Sequence, residues 1–124
     1  MGEPDLKINS YIAGLVQKFL PKHEETIHSG LFLIALKQKK FNIFDWYFNG
    51  YSVISETISS YLQYMCSTKT VEFTNDGIYS LVKNQKIISS EELAEATKQV
   101  ENSLLGYKSA MEIIREAEKL FSSA

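Results

Sequence analysis

Apolar residues recur along this chain at steps of three and four, the spacing that lines up one face of an α-helix. Ile8, Ile12, Leu15 and Phe19, with Tyr11 and Val16 beside them, mark a first helix over residues 5–20. Pro4 stands near its start, where a missing N–H does no harm, and Pro21 ends it, because the residue before proline avoids helical geometry. A second helix is predicted over 22–39. Glu24 and Glu25 fall in its first turn and Lys37, Lys39 and Lys40 at its end, an order that suits the helix dipole. Its stretch from Leu31 to Leu36 is apolar nearly all round, which predicts burial on more than one side.

Lys40-Phe41-Asn42 reads as a connection, with Asn42 placed to cap a third helix over 43–66. Ile43, Tyr47, Gly50, Ile54, Ile58, Tyr61 and Met65 step along it by threes and fours. Gly50 in mid-helix costs about 1 kcal/mol against alanine, so it marks a close helix crossing. Ser67 to Phe73 is a break. Thr68, Thr70, Val71 and Phe73 have strand character, but a lone short strand has no partner, so the segment reads as loop. Thr74-Asn75-Asp76-Gly77 opens a short fourth helix through about Asn84.

The longest predicted element follows. Ser89, with Glu92 three residues on, forms a capping box ahead of a helix that runs to Phe121, a span of about 48 Å. Leu93, Val100, Tyr107, Ile114 and Phe121 lie seven apart, and Ala96, Ser103, Ala110 and Ala117 make a second line, all small. Such a line lets another helix approach closely. The expectation is an all-α, mostly antiparallel bundle of five helices, a single domain over residues 1–124.

Charge and composition narrow what such a bundle does. The net charge is -2, so no global field draws in nucleic acid or acidic lipid. Arg115 is the only arginine, which disfavours bidentate readout of phosphate or guanine. Cys66 is the only cysteine, which leaves no intramolecular disulfide and no thiolate metal cluster. The first residues show no secretory pattern and the longest apolar run is far too short to span a bilayer. A cytoplasmic protein without a membrane partner is expected.

Few residues offer chemistry. His23 and His28 are five apart, the wrong step for two ligands on one helical face, and read as surface or loop histidines. Cys66 has no base nominated beside it, and the acids of the last helix read as a solvated face. No cofactor, metal or catalytic set is expected. Lys37, Lys39 and Lys40 are either a charged helix end or a small patch for a phosphate backbone. Phe41, Phe44, Trp46, Tyr47, Phe48 and Tyr51 put six aromatics into eleven residues. They cannot all face one way along a helix. Either neighbouring helices cover both sides, or another chain does.

The order of elements resembles a known family. Lys39-Lys40-Phe41-Asn42-Ile43-Phe44-Asp45 leads into the aromatic-rich Trp46-Tyr47-Phe48-Asn49-Gly50-Tyr51, and Ile87-Ile88-Ser89 opens a final helix ending Glu116-Ala117-Glu118-Lys119-Leu120-Phe121. Over residues 20–121 this is similar to the HEPN superfamily of helical domains. Its members usually dimerise, and many are ribonuclease toxins or partners of small nucleotidyltransferases. The nuclease members carry an arginine, a polar residue and a histidine, commonly followed by Gly-Tyr. Here Glu101-Asn102-Ser103-Leu104-Leu105-Gly106-Tyr107 keeps Asn102, Gly106 and Tyr107, puts Glu101 in the arginine's place and lacks the histidine. RNA cleavage needs a positive group on the phosphate and a proton shuttle. The resemblance therefore implies a non-catalytic, homodimeric binding module, with a nucleotidyltransferase-like partner or a nucleotide-type ligand. Trp46, Tyr47, Tyr51, Asn102, Tyr107 and the three lysines are its candidate binding residues. The alternative is a small helical scaffold subunit of a CRISPR-type nucleoprotein complex, which would gather its lysines into a stripe.

Overall fold

The computed structural model describes residues 8–18, 23–38, 43 and 45–123. The elements run α1 (Ile8–Lys18), α2 (Glu24–Gln38), β1 (Trp46–Phe48), β2 (Val53–Ser55), α3 (Glu56–Ser67), β3 (Val71–Phe73), β4 (Tyr79–Leu81), α4 (Ser90–Ser103) and α5 (Ala110–Ser123). The fold is mixed α/β, which corrects the all-α expectation. Among the described residues, five helices are joined by two antiparallel two-stranded hairpins.

The first hairpin occupies the segment expected to begin the third helix. Trp46 pairs with Ser55, Tyr47 with Ile54 and Phe48 with Val53. Aromatic and β-branched residues favour strands, and Asn-Gly between two such runs is a strong hairpin signal. Gly50 sits in the turn at φ +95°, with open space where a Cβ would stand, so it marks no helix crossing. The Asn49 carboxamide oxygen accepts from the backbone N–H groups of Tyr51 and Ser52 at 2.9 and 2.8 Å. Only the second half of the expected helix is helical. It is α3, capped by Ser55, whose Oγ accepts from Ile58 N–H.

The second hairpin replaces the expected loop and fourth helix. Val71–Phe73 finds its partner in Tyr79–Leu81 across a turn that holds Gly77 at φ +77°. Local periodicity cannot report such a partner, because the pairing is made across the turn.

The expected long helix is two helices. Leu104 ends α4, Gly106 turns at φ +102°, and Ser109 starts α5 by accepting from Glu112 N–H at 3.2 Å. The Glu112 carboxylate reaches back to Lys108 N–H, one residue before the cap. Ser89 caps α4 as its sequence predicts, its Oγ accepting from Glu92 N–H at 3.1 Å, and the Glu92 carboxylate accepts from the Ser89 hydroxyl at 3.3 Å.

The core sits on α2, where every residue from Thr26 to Ile34 is buried. Tyr11, Ile12, Leu15 and Val16 of α1, Ile58, Leu62 and Met65 of α3, and Val100, Leu104 and Ile113 complete it. Helix α1 packs mainly on α4 and α2 on α5. At the α1–α4 crossing, a Cβ on Gly14 would lie 2.9 Å from Thr97 N and 3.0 Å from the Ala96 carbonyl carbon. The absence of a side chain on Gly14 is what admits that contact. No helix among the described residues is long and apolar enough to cross a membrane.

Candidate functional site

The aromatic hairpin and the start of α2 form the part of the surface with the most distinctive chemistry. Trp46 turns inward, its ring edge-on to Phe32 with centroids 5.1 Å apart. The other aromatics of the hairpin, Tyr47, Phe48 and Tyr51, are exposed, Tyr51 at 57 %. Strand β1 has β2 as its one extensive neighbour among the described elements, while β2 also packs on α2, α3 and α5. The outer edge of β1 is therefore the edge of the sheet. Beside the hairpin turn lies a cleft of about 360 Å³. Tyr51, Ala110, Met111 and Ile114 supply its apolar wall, and His23, Glu25 and Thr26 its polar wall.

A buried polar network holds the hairpin in place. His28 is fully buried on α2. Its Nδ1 accepts from Ser55 N–H at 3.0 Å, so the proton of the neutral ring is on Nε2, which meets Glu24 Oε2 at 3.1 Å. Ser59 Oγ donates to the same carboxylate oxygen at 3.0 Å, and Tyr79 Oη approaches the other at 3.4 Å. One step further out, Asp45 accepts from Ser55 Oγ at 2.6 Å and from Thr57 N–H and Oγ1 at 3.0 Å each. These bonds tie α2 to the end of β2 and the first turn of α3.

The environment sets the protonation of each member. Burial lowers the His28 pKa, and this outweighs the opposing pull of its bond to Glu24 and the charges of Glu24, Glu25 and Glu56. Burial, then the Glu24 charge, pushes the Tyr79 phenol up to about 12. The same two causes raise the Cys66 thiol. The hydroxyl of Ser55, followed by the donors of Thr57, holds the Asp45 carboxyl below its ordinary range.

Ser59, His28 and Glu24 bring together the residue types of a hydrolytic triad, a juxtaposition the spacing did not reveal. Their connectivity is different. A triad places the acid on one ring nitrogen and the nucleophile on the other. Here Nδ1 is committed to a backbone N–H, while the acid and the serine share the Nε2 side. Ser59 donates to the carboxylate, so no imidazole lone pair remains to take its proton. Among the described residues, no three of His, Cys, Asp and Glu converge as metal ligands.

The expected surface position of His28 is thus corrected. A single histidine within an apolar run is buried because Glu24, four residues earlier on the same helix face, and Ser55 satisfy both its nitrogens. The Glu24–His28 spacing was the available signal. His23 is half-buried, with Nδ1 3.1 Å from the Gly77 carbonyl oxygen.

The predicted site residues divide. Trp46, Tyr47 and Tyr51 share the hairpin, but Trp46 is a core contact and Tyr47 Oη donates to Glu56 at 2.9 Å. Lys37 and Tyr107 meet elsewhere. The Lys37 ammonium donates to the Ser103 carbonyl at the end of α4 and lies 5.1 Å from the Tyr107 ring centroid. This clasp holds the α4–α5 elbow. Asn102 is exposed near the end of α4 and belongs to neither group. Lys39 and Lys40, like Phe41 and Phe44, lie outside the described residues.

The segments that carry the HEPN resemblance take these shapes: the aromatic-rich stretch is a hairpin, and Glu101–Tyr107 spans the end of α4 and the elbow. No protein-family model, curated protein or solved structure matches the chain.

Proposed function

We propose that the chain is a non-catalytic, cytoplasmic binding module. It pairs with a second copy along the outer edge of β1 and presents the cleft beside Tyr51 to a protein partner. One observation carries this reading: an edge strand bears two exposed aromatics, Tyr47 and Phe48, and is braced from beneath by buried bonds. An open strand edge is a template for another strand, and exposed aromatic area is characteristic of interfaces. Bracing lowers the ordering cost of association, because the hairpin is already in its bound shape. The nucleoprotein-scaffold alternative asks for lysines that face solvent as a stripe, whereas Lys37 is engaged with Ser103 and Tyr107.

Light scattering tests the pairing. The expected mass is about twice 14.1 kDa, falling to one chain when Phe48 and Tyr47 are both replaced by aspartate. A wild-type monomer at tens of micromolar (about the range of weak functional dimers) sinks self-pairing and leaves the cleft to be tested separately.

A further inference from the structure

The cleft beside Tyr51 has a specific chemical complementarity. Its polar wall combines a carboxylate with an imidazole and a hydroxyl. Glu25 supplies a carboxylate. The His23 Nδ1 lies 3.1 Å from the Gly77 carbonyl oxygen, which can only accept, so Nδ1 carries a proton. Its apolar wall is made of an aromatic ring, a thioether and an isoleucine. The electrostatics of this end of the molecule point the same way. The charges that act on His28 are those of Glu24, Glu25 and Glu56. Those that act on Tyr47 are Glu56 and Asp45. All are acids. Lys37 is at the other end of α2, in the elbow clasp.

An arginine or lysine side chain has the matching shape. Its aliphatic stem covers apolar surface while its head stays polar. A cation also gains from an aromatic ring and from a half-buried carboxylate. The cleft volume of about 360 Å³ is at the small end of ligand sites, with room for a few side chains rather than an extended cofactor.

We infer that this cleft is the docking site for a basic-apolar segment of a partner protein, one of whose arginine or lysine side chains inserts between Glu25 and the Tyr51–Met111 wall. This inference rests on the binding-module reading and names the chemistry of the partner. It predicts that recognition depends on salt, because the cleft's contribution is the pairing of an exposed-rim charge.

The test uses the full chain and two synthetic, end-blocked peptides. One alternates leucine with arginine. The other carries citrulline, a neutral isostere, at every arginine. Binding is followed by the amide NMR signals of the protein. The arginine peptide should shift Tyr51, Met111 and Ile114 with little change at the start of α4. Citrulline should weaken binding by about tenfold, and Glu25→Gln by about fivefold. Glu25→Gln should keep the melting temperature, which separates lost recognition from lost fold.

Equal binding of both peptides in the cleft overturns the charge inference while leaving the binding face intact. Shifts scattered over every acidic surface overturn the cleft as a site. If the signals of Tyr51 and Met111 change instead with protein concentration alone, a second copy fills the cleft, and the basic partner is overturned.

Discussion

The two ends of α2 are held in opposite ways. At its start, Glu24 and His28 are bonded to Ser55, Ser59 and Tyr79, and the imidazole is fully buried. At its finish, the exposed Lys37 side chain holds the α4–α5 elbow through one carbonyl and one ring. The difference lies in what happens when a partner is removed. A buried donor left without an acceptor cannot turn to water and loses its full solvation. The exposed Lys37 ammonium, by contrast, can exchange its carbonyl for water. The start of α2 is therefore an anchor, and its finish a clasp. The anchored end carries the aromatic hairpin and the cleft.

The largest effect should come from His28→Ala. It orphans Ser55 N–H, releases the Glu24 carboxylate and opens a cavity, so urea unfolding should show a loss of about 3 kcal/mol. A loss under about 1 kcal/mol would mean the start of α2 is no anchor and would erase the contrast.

An intermediate effect should appear with acid. The folded pKa of His28 lies below its ordinary 6.5, so the unfolded chain binds the proton more readily. Its stability contribution is complete above pH 6.5 and is lost progressively as pH falls below it. Asp45 adds a loss of the same sign only below its ordinary 3.8, because its folded pKa is also lowered. Urea midpoints measured between pH 7 and 5 should fall for the native chain and flatten in His28→Gln. An unchanged slope in that variant would assign the acid sensitivity to other groups.

The smallest effect should be Lys37→Met, about 0.5–1 kcal/mol, since it removes an exposed cation–π contact and a hydrogen bond that water replaces. A loss as large as that of His28→Ala would show the elbow to be an anchor as well.

Legibility in the sequence follows the range of the interactions. Helix α1 was readable because its apolar residues face the core at helical steps, α2 from an apolar run set between an acidic first turn and a lysine end, and the Ser89 cap because its partner is three residues away. The hairpin over Trp46–Ser55 was masked by Ile43, Tyr47, Ile54 and Ile58, whose spacing also fits a helix. Asn49-Gly50 was the discriminating pair. The last helix looked continuous because α4 and α5 both turn their small and apolar residues, such as Ala96, Val100, Ile114 and Ala117, to the same core, so the period survived the break. Gly106 and the Ser109 cap marked that break locally. Among the candidate site residues, Tyr51 was named for its place in an aromatic cluster, and it lines the cleft. His28 was missed because its second partner, Ser55, is 27 residues away.

The sequence by itself determined α1, α2, the helical second half of residues 43–66, the start of α4 at Ser89, and the surplus of aromatics between residues 41 and 51. The tertiary structure alone decided that Trp46, Tyr47, Phe48 and Tyr51 lie on a hairpin, that Val71–Phe73 has a partner strand, and that an imidazole is buried beneath that hairpin. The physical reason is the reach of the forces involved. Helix caps and amphipathic stripes are made within a few residues, while strand pairing and the satisfaction of a buried ring need groups that only folding brings together.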